Sequence, residues 1–141
     1  MCLATVLVCA LEMLLRSAAT FPPIVLIDTR PDDVSAAAEA FVRRSPDTIY
    51  VLTSSSTFRA AQAGDRGALQ KLASILVHEE WHLKHGPDER AAYQAQLTTL
   101  LALGLRDGRP VFDEVRRSML AVMAAQKRAA RRPEAVVAVA R

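Results

Sequence analysis

All three histidines of the 141-residue chain fall in one short run, Val77-His78-Glu79-Glu80-Trp81-His82-Leu83-Lys84-His85. The pattern is HExxH. On a helix, His78 and His82 lie one turn apart on the same face, where two imidazole nitrogens can reach a single Zn²⁺. Glu79 sits beside them, placed to take a proton from a zinc-activated water. Shuffling this composition, with 3 His and 7 Glu, gives HExxH in about 0.2% of cases, so coincidence is a poor explanation.

Two histidines leave a four-coordinate zinc short of a third protein donor, and Glu89 is the first choice. Gly86 ends one helix and Pro87 suits the first position of the next, a tight reversal that sets Glu89 opposite His82. Glu89, Tyr93 and Gln96 recur at helical spacing, and the stripe continues as Leu100 and Leu103, so this face should point inward. Tyr93 is a candidate catalytic residue that can donate to a developing oxyanion, or an inward aromatic with a satisfied hydroxyl. His85 shares the histidine face, but three ligands over seven residues of a straight helix span about 10 Å, too far for one ion. Asp88 reads as a helix-start residue that suits the dipole, Arg90 as surface, and Trp81 as packing.

The elements that must position these residues begin with the histidine helix, predicted over Arg66–His85. At about 100° per residue, Leu69, Leu72, Ala73, Leu76 and Leu83 take one side, with His78, His82, His85 and Ile75 on the other. Glu80 falls among the leucines and should find a partner such as an arginine. Two more helices are predicted over Asp88–Leu105 and Pro110–Arg132. Upstream, the apolar run of the first 15 residues reads as a core helix through Leu3, Leu7, Leu11, Leu14 and Leu15, with an atypical export segment over 1–19 as the alternative. Ile24 to Asp28 reads as a strand, Asp32 to Arg44 as a capped helix, and Thr48 to Thr53 as a short exposed strand. The expected order is αβαβ followed by three helices, an α+β domain over residues 1–132 with a tail over 133–141.

His78-Glu79-Glu80-Trp81-His82 followed by Glu89-Arg90-Ala91-Ala92 resembles the HExxH…ExxA pattern of gluzincin-type zincin metallopeptidases. The resemblance covers about 20 residues. It implies a zincin-like fold, with a small sheet, an active-site helix and a helical C-terminal half. It further implies zinc held by His78, His82 and Glu89, Glu79 as the catalytic base, and a peptide or protein substrate. Six residues separate His82 from Glu89, a short interval for that group, and Tyr93 replaces the usual acidic residue after ExxA. In that core a strand edge lies above the active-site helix, and Thr48 to Thr53 is the candidate edge for an extended peptide.

Composition narrows the alternatives. Hydrophobic residues make up 51% and charged residues 23%, which excludes a disordered or low-complexity chain. Cys2 and Cys9, seven residues apart, cannot form a disulfide framework. Residues 106–141 hold 9 of the 18 Lys and Arg but only 4 of the 15 Asp and Glu. Lacking interleaved aromatics or a nucleic-acid motif, that basic stretch reads as a solvated face. The N-terminal apolar run is shorter than the ~20 residues a membrane span needs. The expectation is therefore a zinc metallopeptidase. The competing class is a non-catalytic zinc-binding or interaction protein whose site is structural or degenerate, recognisable by a fourth protein ligand such as His85 or Asp88.

Overall fold

The computed structural model describes residues 1–132, so the tail over 133–141 lies outside the described residues. Its elements run α1 (Leu3–Met13), β1 (Ile24–Ile27), β2 (Ala40–Arg43), β3 (Thr48–Leu52), α2 (Ser56–Gln62), α3 (Arg66–His85), α4 (Glu89–Ala102) and α5 (Pro110–Arg131). The three strands form one mixed sheet in the order β1-β3-β2, with β1 parallel and β2 antiparallel to β3. The fold is α+β.

Helix α3 is the axis of the molecule, in contact with the sheet and with each of the other four helices. Asp65 caps its start by accepting from Ala68 N at 2.8 Å, a bond of a kind that contributes about 1 kcal/mol. Gly86 ends it at φ 101°, a backbone conformation that side-chain-bearing residues rarely adopt. Its leucine side, with Leu72, Ala73 and Leu76, packs into a core with Val6 and Ala10 of α1, Ile49 and Val51 of β3, and Phe58 and Ala61 of α2. Burying each large side chain of this group stabilises by roughly 1.5–3 kcal/mol relative to leaving it in water. A smaller cluster of Leu100, Phe112 and Val115 joins α4 to α5.

Sequence and structure part company in several places. The helix expected from Asp32 to Arg44 is absent: residues 32–39 form turns, and Ala40–Arg43 is strand β2. Its alanines favour a helix, but Ala40 and Val42 instead pair with Val51 and Ile49, and Phe41 stacks on its cross-strand partner Tyr50 at 5.1 Å. Sheet packing overrides local preference there. Strand β3 was expected to be exposed and to offer an edge, yet it is the central, largely buried strand, and β2 and β1 are the edges. The short helix α2, capped by Ser55, was not anticipated. Helix α1 packs through Val6, Ala10 and Leu11, so the leucine stripe is only partly the buried face: Leu11 is in the core and Leu14 packs against it, but Leu3 is exposed and Leu15 lies beyond the helix end at 94% exposure. The order is therefore αβββ followed by four helices. None of the described helices is long and apolar enough to cross a membrane.

Candidate metal centre

Three residues, Gly86-Pro87-Asp88, join α3 to α4 and fold the second helix back against the first. Asp88 caps α4 through Ala91 N at 3.2 Å, which leaves Glu89 in the first turn, where the helix dipole favours a carboxylate. Glu89 thereby reaches both histidines: its carboxylate oxygens lie 3.3 Å from His78 Nε2 and 3.3 Å from His82 Nε2. The two Nε2 atoms are themselves 3.1 Å apart. Among the described residues His78, His82 and Glu89 form one group whose ligand atoms all lie within 4.8 Å of one another, a group that can hold a metal ion.

Each ring is turned by a bond on its far side. His82 Nδ1 lies 2.8 Å from the Gly86 carbonyl, which only accepts, so in the neutral ring Nδ1 carries the proton and Nε2 a lone pair. His78 Nδ1 lies 3.0 Å from Gln96 Oε1, also an acceptor. Two lone pairs thus converge beside a carboxylate. Neighbouring donors around a four-coordinate ion with bonds near 2.1 Å are separated by about 3.4 Å, so spacings of 3.1 and 3.3 Å suit a shared cation. The same cluster also binds protons in place of a cation: hydrogen bonds that His78 and His82 donate when charged hold the Glu89 carboxyl down at about 2. Burial works against a charged His82, but the hydrogen bonds with Glu89 and Gly86 outweigh it and push this imidazole up.

Glu79 is 8% exposed and borders both lobes of the surrounding cleft, as Glu89 does. Burial pushes its carboxyl up, against the opposing pull of His78 and His82, and Glu89 adds to the rise. That is the behaviour wanted of a proton acceptor working near neutrality. One lobe, about 210 Å³, runs under α5 and is lined by Lys71, Ile75, Tyr93 and Val115. The other, about 450 Å³, runs along β2 between Ala40 and Arg44 and past Gly86 and Pro87. Tyr93 stands edge-on to the His78 ring at 4.5 Å. Burial, with help from Glu89, Glu79 and Glu39, pushes its hydroxyl up to about 12, so it stays protonated and able to donate.

The structure brings together His78, His82, Glu89, Glu79 and Tyr93, the residues singled out by sequence. It keeps His85 apart: that ring is exposed and packs against Trp81 at 4.9 Å. Asp88 is the α4 cap. Glu80 finds its arginine, since Arg16 Nη2 and Nη1 donate to it at 2.8 and 3.3 Å, with Lys84 3.4 Å away. Sequence reasoning gave no site role to Gly86, whose carbonyl orients His82, or to Arg44, which donates to the His82 carbonyl at 2.9 Å and ties the end of β2 to α3. Spacing puts Gln96 on the inward stripe with Glu89 and Tyr93, and that position is the sequence signal for its contact with His78. Set against known protein families, curated proteins and solved structures, the chain matches none.

Proposed function

We propose that the protein is a zinc-dependent metallopeptidase of the zincin type, with zinc held by His78, His82 and Glu89. The observation that carries this reading is the convergence of two imidazole Nε2 atoms and one carboxylate beside a buried glutamate, in a cleft open on both sides. Two nitrogens and one carboxylate suit zinc better than the all-oxygen cations. Three protein ligands are the catalytic pattern, whereas structural sites carry four, and neither His85 nor Asp88 belongs to the group. Bound zinc would lower the pKa of water towards ~7 and polarise the scissile carbonyl.

Glu79 accepts the proton of the attacking water and passes it to the leaving nitrogen; its raised affinity for a proton serves both transfers. Tyr93, still protonated, donates to the oxygen on which charge develops. The free edge of β2, not the central strand β3, borders the larger lobe and offers its backbone groups to an extended peptide. A peptide lying along Ala40–Arg43 then crosses Glu79 and Glu89 on its way between the two lobes.

The test is Glu79→Gln. The amide keeps the shape of the side chain and leaves the three ligands intact, but it cannot accept the proton. A peptide library incubated with zinc-loaded protein and analysed by mass spectrometry should show cleavage by the wild type and a loss of about 10²- to 10⁴-fold in the variant at unchanged zinc content. Equal cleavage by the two proteins would sink the mechanism.

A further inference from the structure

The ring of His78 is held by a chain of hydrogen bonds that begins in the backbone of its own helix. Ser74 is fully buried, and its hydroxyl lies 2.6 Å from the Lys71 carbonyl. That carbonyl only accepts, so the single hydroxyl proton of Ser74 is committed to it. Towards Gln96, Ser74 Oγ can therefore only accept, and the group that faces it at 3.2 Å must be the Gln96 amide nitrogen. The other end of the amide, Oε1, then faces His78 Nδ1 at 3.0 Å, and it too can only accept. In the neutral ring Nδ1 must then carry the proton, and Nε2 is left as a lone pair aimed at His82 and Glu89.

Gln96 is 4% exposed, so no solvent competes for either end of its amide. Its orientation follows from the proton count alone, without an assignment from shape, which a glutamine amide does not permit. Lys71, Ser74 and His78 occur at i, i+3 and i+7 on α3, one stripe of the helix, while Gln96 bridges from α4. We infer that Gln96 is a positioning residue which, through Ser74 and the Lys71 carbonyl, fixes His78 as the Nδ1–H tautomer and so prepares Nε2 to ligate a metal. The inference rests on the metal-site reading of the previous subsection, but not on peptide hydrolysis.

Such bonds behind a ligating histidine set both its orientation and its basicity. The relay has a built-in asymmetry. Removing Gln96 abolishes the acceptor for Nδ1, whereas removing Ser74 only frees the amide to turn over, so that it presents either end to the ring. A glutamate at position 96 still accepts from Nδ1, and Ser74 can rotate to donate to it.

Two measurements test this. The first is long-range ¹H–¹⁵N NMR of the metal-free wild-type protein at about pH 8.5, above the usual imidazole range. His78 should show its proton on Nδ1, and Ser74→Ala should convert this single tautomer into a mixture. An Nε2–H ring in the wild type, or an unchanged single tautomer in Ser74→Ala, overturns the relay. The second is zinc affinity by chelator competition, with folding checked by circular dichroism. Gln96→Leu should bind zinc about 10- to 100-fold more weakly, Ser74→Ala should lose less, and Gln96→Glu should stay near the wild type. Wild-type affinity in a folded Gln96→Leu protein overturns it as well. If the protein cleaves no peptide, the tautomer result still stands or falls by itself. If the wild type binds no zinc, the metal-site reading fails while the NMR arm still decides the tautomer.

Discussion

Replacing Glu89 by alanine removes the donor that completes the proposed zinc site, and the structure allows the loss to be sized. The carboxylate stands 3.3 Å from each histidine Nε2, so in the proposed zinc site it would supply one of three protein ligands, and the only one with negative charge. Small zinc sites bind with roughly 10–16 kcal/mol, and an equal share of the lower figure is about 3 kcal/mol for each of three ligands. At about 1.4 kcal/mol per factor of ten, zinc affinity should fall on the order of 100-fold. The fold should survive. The Glu89 side chain is 33% exposed, the Asp88 cap is untouched, and alanine suits the first turn of α4. The assay is competition against a chromophoric chelator at about pH 8, where ordinary imidazoles are neutral. An affinity within about threefold of the wild type, less than 1 kcal/mol, would refute the assignment of Glu89 as third ligand.

Other expectations concern the parts that hold the site in place. Gly86 sits at φ 101° and ψ −157°, and its carbonyl orients His82; Gly86→Ala meets no steric obstacle but should cost about 1–3 kcal/mol in a denaturant titration and weaken zinc binding too. Wild-type stability in that variant would show that the turn can relax. Arg16→Met strips the buried Glu80 carboxylate of its two closest donors and leaves Lys84 at 3.4 Å, so it should destabilise by about 2 kcal/mol. Leu15 ends α1 at φ 55°, where the bonds from Leu15 N to Glu12 O and from Arg16 N to Leu11 O close the last turn. Leu15→Gly should therefore raise the melting temperature, by a stabilisation of about 0.5–1 kcal/mol, and a lowered one would contradict this view of the turn.

Much of the site could be read from residue spacing, because its parts are local. Helix α3 has the bounds that Asp65 and Gly86 mark in the sequence, and α5 those marked by Pro110 and the arginines of its last turn. The Gly86-Pro87 break placed Glu89 against His82 for the same reason: a three-residue reversal leaves few alternatives. What stayed hidden was decided at long range. Ala40–Arg43 carries alanine and phenylalanine that a helix would accept, and only the register with β3, Phe41 opposite Tyr50, makes it a strand. That one difference moved the sheet edge from β3 to β2 and brought a different strand to the cleft. In α1 the leucine stripe meets the core through Leu11 and Leu14, while Leu3 and Leu15 are exposed, because the buried face is centred on Val6 and Ala10. Spacing puts Gln96 on the inward polar stripe but does not show its contact with His78, and nothing in the sequence marks Ser74 or the Gly86 carbonyl, because such groups acquire their roles only from what they face.

The most direct test of the account is reconstitution. Protein stripped of metal with a chelator and titrated with zinc should recover peptide cleavage in proportion to the zinc added. Recovery should level off at about one zinc per chain, the capacity of a single three-ligand group. Cleavage that is unaffected by stripping, or protein that binds one zinc and cleaves no peptide in a broad library, would contradict the claim that His78, His82, Glu89 and Glu79 form a hydrolytic centre.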